Sequence, residues 1–141
     1  LIYQIQETEA SRELTQELTF NHPVKFIASA NTITDSVLTT ASNRIKLSVN
    51  GVELSPFKWA RPHFLDVSAY YHTLSVTSPD VFMHSFANNT ASLQPTGTLN
   101  FSRVSSFKIH SESQNLIDKI YACSYNILTI QNGIGALRYA N

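Results

Sequence analysis

The sequence predicts an all-β fold: an eight-stranded antiparallel sandwich with the topology of a jelly roll. Apolar residues cluster in short runs, Ser, Thr and Asn are abundant, and turn signals separate the runs. Two long connections, at about 31–43 and 56–80, do not suit a simple meander. They suit the loops that cross between the two sheets of a jelly roll, and residues 1–141 are expected to form one such domain.

Two strands are predicted in the first part of the chain, and a hairpin turn follows the second of them. Residues 24–28 form a β-prone run, and residues 44–49 alternate between apolar and polar side chains. Asn50-Gly51 has the composition of a two-residue hairpin turn, so the chain is expected to return through residues 52–54.

Three further strands are predicted in the second half of the chain, at 81–87, 98–104 and 107–110. The segment 94–98 reads Gln-Pro-Thr-Gly-Thr, which is typical of a tight turn that directs the chain into the 98–104 strand.

The longest β pattern covers residues 120–131, where apolar side chains occur on both faces. This pattern predicts a single central strand that is covered on both sides for much of its length. Asn132-Gly133 is then expected to turn the chain into a final strand with Leu137 and Tyr139 on one face.

Two segments depart from the strand pattern. Phe64, Val67 and Tyr71 have helical spacing, which predicts one or two helical turns within the 56–80 connection. The segment 9–20 fits a helix and a strand equally well.

Charge and cysteine content exclude several classes of protein. Ten basic and ten acidic residues give a formal net charge of +0, and charged residues make up only 14% of the chain, which argues against a nucleic-acid binder. Such a weakly charged surface tends to associate. Cys123 is the only cysteine, so an internal disulfide and a zinc ribbon are excluded. Because the chain begins with Leu1, we expect it to be a piece of a longer polypeptide.

The sequence predicts no catalytic, cofactor-binding or metal-binding residues, no cofactor and no enzyme activity. The five histidines show no short metal-ligand spacing, which disfavours the metal site of a cupin-type enzyme. Cys123 lies within an apolar run, as a structural thiol does. Asn88 and Asn100 each begin an N-glycosylation pattern, and we expect both to be unmodified because no secretion signal is evident.

Three motifs occur together in register. Residues 21–25 read Asn-His-Pro-Val-Lys, and residues 94–103 read Gln-Pro-Thr-Gly-Thr-Leu-Asn-Phe-Ser-Arg after the 81–87 strand. The chain closes with a pattern of Tyr, Asn, Leu, Ile and Gly residues between 120 and 141. This order and spacing resemble the carboxy-terminal half of the major capsid proteins of nucleocytoplasmic large DNA viruses. Thr96 and Ile134 are mild departures, since Ser and Met are common at these places in the family.

The resemblance implies that this chain is the second roll of a double jelly-roll protein. Such proteins form homotrimers that act as pseudo-hexagonal capsomers of an icosahedral shell. The implied partners are neighbouring capsomers and minor capsid proteins, with no direct nucleic-acid contact and at most an indirect contact with the internal viral membrane. The implied location is the virion capsid, assembled in the host cytoplasm.

A second class of function stays open beside this one. A carbohydrate-binding jelly-roll module could use Trp59, Tyr70 and Tyr71 to stack on sugar rings.

Overall fold

The computed structural model describes residues 2–30, 37, 38, 40, 42–72 and 81–139. Its strands are β1 Ile2–Glu7, β2 Thr15–Glu17, β3 Pro23–Ala30, β4 Arg44–Val49, β5 Val52–Glu53, β6 Lys58–Trp59, β7 Val81–Ser85, β8 Leu99–Asn100, β9 Phe107–Ser111, β10 Tyr121–Asn126, β11 Leu128–Gln131 and β12 Ile134–Leu137. The helical segments are a π-helix at Ala60–Val67, the α-helix α1 at Ser68–Tyr71 and a 3₁₀ turn at Phe101–Arg103. In these ranges, no helix is long and apolar enough to cross a membrane.

Ten of the described strands form two antiparallel sheets, and β11 and β12 pair only with each other. The first has the order β1-β10-β3-β7, and β8 also pairs with β3. The second has the order β2-β9-β4-β5, and β6 also pairs with β4. The chain alternates between the sheets at β1, β2, β3 and β4, returns to the first at β7, and alternates again at β9 and β10. This is jelly-roll order, so the predicted fold is confirmed.

The hydrophobic core lies between the two sheets. The first sheet contributes Val24, Ile27, Phe82 and Ala122, and the second contributes Ile45, Leu47, Phe107 and Ile109. Phe86 and Phe101 extend this core as an aromatic group with Phe107, in which ring centroids are 5.0 to 5.9 Å apart. Burial of each such side chain contributes about 1.5–3 kcal/mol, which makes this layer the main source of stability.

Both predicted hairpin turns are confirmed. Asn50 and Gly51 have φ angles of 50° and 80°, and Asn132 and Gly133 have φ angles of 54° and 75°. Two successive left-handed residues define the type I′ turn, whose twist matches that of paired strands.

The prediction of one continuous strand over 120–131 is wrong. β10 ends at Asn126, and the chain resumes as β11 at Leu128, which is exposed and pairs only with β12. At the break, the Asn126 side chain accepts a hydrogen bond from the Ile127 N–H at 2.8 Å, so this N–H does not pair with a neighbouring strand. The final strand ends at Leu137, so Tyr139 lies beyond it.

The predicted 98–104 strand is also mostly wrong. Only Leu99–Asn100 pairs as a strand, and Phe101–Arg103 forms a 3₁₀ turn. Asn100 Oδ1 caps this turn by accepting from the Ser102 N–H at 3.1 Å, while Phe101 inserts into the core. A side-chain cap therefore overrides the alternating pattern.

The structure also tests the predictions for the segments 9–20 and 61–71 and for the two long connections. The ambiguous 9–20 segment contains the strand β2 and, as described, no helix, and the 61–71 segment is helical as predicted. The two long connections do cross between sheets, from β3 to β4 and from β6 to β7. Residues 31–36, 39, 41 and 73–80 of these predicted loops lie outside the described residues.

Candidate functional site

Three of the five histidines lie near the helical segment. His84, on β7, packs between the rings of Phe64 and Phe86, with centroid distances of 6.2 and 5.1 Å. Burial, with a smaller contribution from the nearby His63 and His72, lowers the pKa of His84 to about 4. At neutral pH the His84 side chain is therefore an uncharged packing group in an aromatic environment.

The other two histidines lie elsewhere. His110 bridges strands of the second sheet, since its ring nitrogens are 3.1 Å from Thr15 Oγ1 and 2.9 Å from Ser48 Oγ. His22 is buried ahead of β3. Within the described ranges, no three His, Cys, Asp or Glu side chains are placed to hold a metal ion.

Cys123 lies half-buried on β10. Burial raises the pKa of its thiol, and the neighbouring Lys25 offsets only part of this effect. The thiol form therefore predominates at neutral pH, which does not favour nucleophilic chemistry because the thiolate is the reactive species.

Lys25 is a buried cation on the outer face of the first sheet. A β-bulge leaves Lys25 of β3 without a paired residue on β10. Lys25 and its neighbour Phe26 therefore lie on the same face of the sheet. The Lys25 ammonium lies 5.0 and 5.6 Å from the ring centroids of Tyr3 and Tyr125, and it donates to the Ser92 carbonyl at 3.3 Å. These contacts fasten the 92–93 segment over the sheet, which is a structural role.

The aromatic residues proposed to bind sugar do not form a described platform. Trp59 is half-exposed at the end of β6, and the guanidinium of Arg44 lies 5.3 Å from its ring centroid. That guanidinium is itself engaged by Glu112 through two hydrogen bonds. Tyr70 is 80% exposed on α1, and the side chain of Tyr71 lies outside the described residues. Trp59 therefore has one ring face covered by an ion pair that is already satisfied.

The two glycosylation patterns are part of the local fold. The Thr90 hydroxyl, two residues after Asn88, is buried and hydrogen-bonds to Ser85 at 2.6 Å. Asn100 uses its side chain as the cap described above, and Ser102 Oγ accepts from the His22 N–H at 2.9 Å. The expectation that both asparagines are unmodified stays a prediction.

The most distinctive surface feature is the β11–β12 hairpin, Leu128–Leu137, which we call the arm. Every residue of its two strands is exposed. Its base is held by Asn126, whose side-chain amide donates to the Tyr139 carbonyl at 2.9 Å and accepts from the Tyr139 N–H at 3.1 Å. The sequence predicts the turn of this hairpin but not its exposure, because the same apolar pattern also occurs in buried strands.

A polar groove lies between the end of β1 and the end of β2. It is lined by Gln6, Glu7, Thr8, Glu9, Glu17 and others, and Lys119 lies 4.0 Å from Glu7 and 3.7 Å from Glu9. The groove is open and its charges are exposed, so it has the character of a solvated surface. No catalytic arrangement of side chains is found among the described residues of this groove.

Comparison with known proteins identifies the family. The model of the large eukaryotic DNA virus major capsid protein matches residues 2–136. The major capsid protein of Pyramimonas orientalis virus is 28% identical across the whole of this chain, which spans 43% of that relative's length. The major capsid protein of Phaeocystis pouchetii virus is 30% identical over 68% of this chain and 20% of its own length.

The fold agrees with a solved capsid. A chain of the PBCV-1 virus capsid superposes on 99% of this chain with a TM-score of 0.73 at 22% identity, and 50% of that chain is covered. The jelly-roll order of the two sheets is thus shared with a known capsid structure. The chain belongs to the family of large eukaryotic DNA virus major capsid proteins.

Proposed function

We propose that this chain is the carboxy-terminal jelly roll of a major capsid protein that builds the outer shell of a large double-stranded DNA virus. The family match over residues 2–136 carries this proposal. The coverage of about half of each of two matched chains supports the placement of one roll here and a second elsewhere in the same polypeptide.

The physical properties of the domain suit a shell subunit. Two sheets share one core, which makes a rigid body, and the net charge of +0 allows copies to approach without repulsion. Many weak contacts then add up through multivalency. The function is structural and non-enzymatic, with adhesion between subunits in place of a reactive pocket.

The finer points of the proposal concern assembly. Three copies form a pseudo-hexagonal capsomer that contacts neighbouring capsomers and minor capsid proteins in the virion. Assembly takes place in the host cytoplasm, and the shell surrounds the internal membrane without direct contact between this domain and nucleic acid. The low basic content supports the last point, since a nucleic-acid surface needs clustered Lys and Arg.

Expression of the whole polypeptide that contains this chain tests the proposal. Native mass spectrometry should give a trimer, and electron microscopy should show particles with pseudo-hexagonal outlines. A polypeptide that stays monomeric over the micromolar range would contradict the trimer.

A carbohydrate-binding module is the alternative, favoured only by the exposed ring of Trp59. A glycan array separates the two functions. Specific binding to one glycan that is lost in Trp59→Ala, by a protein that does not trimerise, would support the module instead.

A further inference from the structure

The arm is an unusual element because nothing in the described chain covers it. β11 and β12 pair with each other and with no other described strand. Ile130 and Ile134 are each 71% exposed, and Leu128 is 50% exposed. An isolated two-stranded hairpin is marginally stable in water, so exposure of this much apolar surface indicates a partner.

One face of the arm mixes polar and apolar side chains, namely Thr129, Gln131, Ile134 and Ala136, and the other face has no polar side chain. The pairing register places Leu128 opposite Leu137 and Ile130 opposite Gly135, so these four residues share one face. Gly135 has an ordinary backbone conformation, and a Cβ there would meet nothing within 4 Å. Its missing side chain is therefore not required by the packing of this chain. The gap leaves Ile130 uncovered and allows another surface to approach closely.

The arm is held in a fixed orientation. Asn126 is fully buried and bonds to the main chain of Ile127 and Tyr139, on both sides of the hairpin. The Arg138 N–H also donates to the Ile127 carbonyl at 2.9 Å. Because the base of the arm is already fixed, binding of a partner costs less conformational entropy than binding to a flexible tail would.

The composition of the arm limits the partner. No Lys, Arg, Asp or Glu occurs between residues 127 and 137, so the arm offers nothing to a phosphate or to a charged peptide. A hairpin with two four-residue strands also falls short of the roughly 800 Å² per partner of a stable pair. Such a contact is useful where many identical copies repeat it.

The chain itself offers an exposed apolar surface at one edge of the second sheet. β5 is the end strand there, and Val52 and Leu54 are 68% and 50% exposed. An edge with exposed apolar side chains is open to pairing with another chain. A contact between the arm of one copy and the β5 edge of the next is head-to-tail, so each copy keeps one free arm or edge until the assembly closes.

We propose that the arm is an interaction surface for a second copy of this chain, and that the face with Leu128, Ile130 and Leu137 docks on the β5 edge at Val52 and Leu54. This inference rests on the proposed function, because it needs many copies in one shell.

Photo-cross-linking of the 141-residue chain tests the contact directly. Benzoylphenylalanine in place of Ile130 should give a cross-linked dimer, with adducts at residues 52–54 of the second copy by mass spectrometry. Adducts confined to other regions of the second copy, or cross-linking only to phosphatidylcholine vesicles, would overturn the proposal.

Matched variants test the energetics. Ile130→Lys and Val52→Lys should each weaken self-association by at least about tenfold in sedimentation velocity, since each buries a charge in an apolar contact. Thr129→Lys is the control, because it places the same charge on the opposite face of the same strand and should associate as the wild type does. Circular dichroism should show all three variants folded, as these side chains are exposed.

The outcomes also separate this inference from the proposed function. If the whole polypeptide still forms trimers while Ile130→Lys associates like the wild type, the capsid role stands and the arm contact is refuted. If the adducts form as expected in a polypeptide that never makes capsomers, the arm contact stands and the capsid role is refuted.

Discussion

At the scale of single residues, aromatic packing between the sheets does most to stabilise the domain. Phe101 illustrates this, since it leaves the strand pattern to contact Phe20, Phe86 and Phe107. Its backbone is held by the Asn100 cap, so the side chain enters the core at a fixed angle.

Replacement of Phe101 by Ala should lower the free energy of unfolding by about 3–5 kcal/mol, because it removes a buried ring and leaves a cavity. Chemical denaturation measures this change. Leu93→Ala is the control, as that side chain is 79% exposed and should cost under about 0.5 kcal/mol. Similar losses for the two variants would contradict this assignment of Phe101 to the core.

His84 makes stability depend on pH. Its pKa is lowered from 6.5 to about 4 on folding, mainly by burial, so the unfolded chain binds a proton at a higher pH than the folded chain does. Stability should therefore be lost as pH falls from about 6.5 to about 4, by up to about 3 kcal/mol from this group. When the free energy of unfolding from denaturation curves is plotted against pH, the slope should be smaller for His84→Gln than for the wild type. An unchanged slope would mean that other groups carry the pH dependence.

At the scale of elements, turns and caps decide where strands end. The 94–98 turn runs close to the end of the β7 segment, where a Cβ on Gly97 would lie 2.9 Å from the Phe86 carbonyl oxygen. Gly97 also has a φ of 141°, which residues other than glycine rarely adopt. This turn belongs to the 94–103 motif on which the family resemblance depends. Glycine suits position 97 because the two backbone segments approach closely there.

Gly97→Ala should destabilise the domain by about 2 kcal/mol or more, because both the backbone angle and the contact are unfavourable. Gly51→Ala is a matched control: its φ is 80°, but its Cβ would meet nothing within 4 Å. Thermal unfolding should therefore show a smaller loss for Gly51→Ala, of about 1 kcal/mol. Equal losses would show that the contact with Phe86 is not important.

At the scale of the whole molecule, the two sheets depend on one core. The core cluster draws on residues of both sheets, so each sheet buries its inner face against the other. The domain should therefore unfold in a single cooperative step.

Two probes check this cooperativity. Trp59 fluorescence reports on the edge of the second sheet, whereas far-ultraviolet circular dichroism reports on all strands. Their urea transitions should coincide. Separate midpoints would show that one sheet unfolds before the other.

The sequence by itself determined the local features of this protein. Alternation along 44–49 and 107–110, and the Asn-Gly pairs at 50–51 and 132–133, depend on neighbouring residues only, so the strands and hairpins they predict are present. The motif resemblance led to the family that the comparisons then identified.

Tertiary structure alone decided the features that depend on distant partners. Ile130 and Ile109 are both apolar residues in alternating strands, yet one is 71% exposed and the other fully buried. Periodicity tells which side chains share a face, but whether anything covers that face depends on where the rest of the chain lies. The same reason explains why the break at Asn126, the cap at Asn100 and the bulge at Lys25 became evident only in three dimensions.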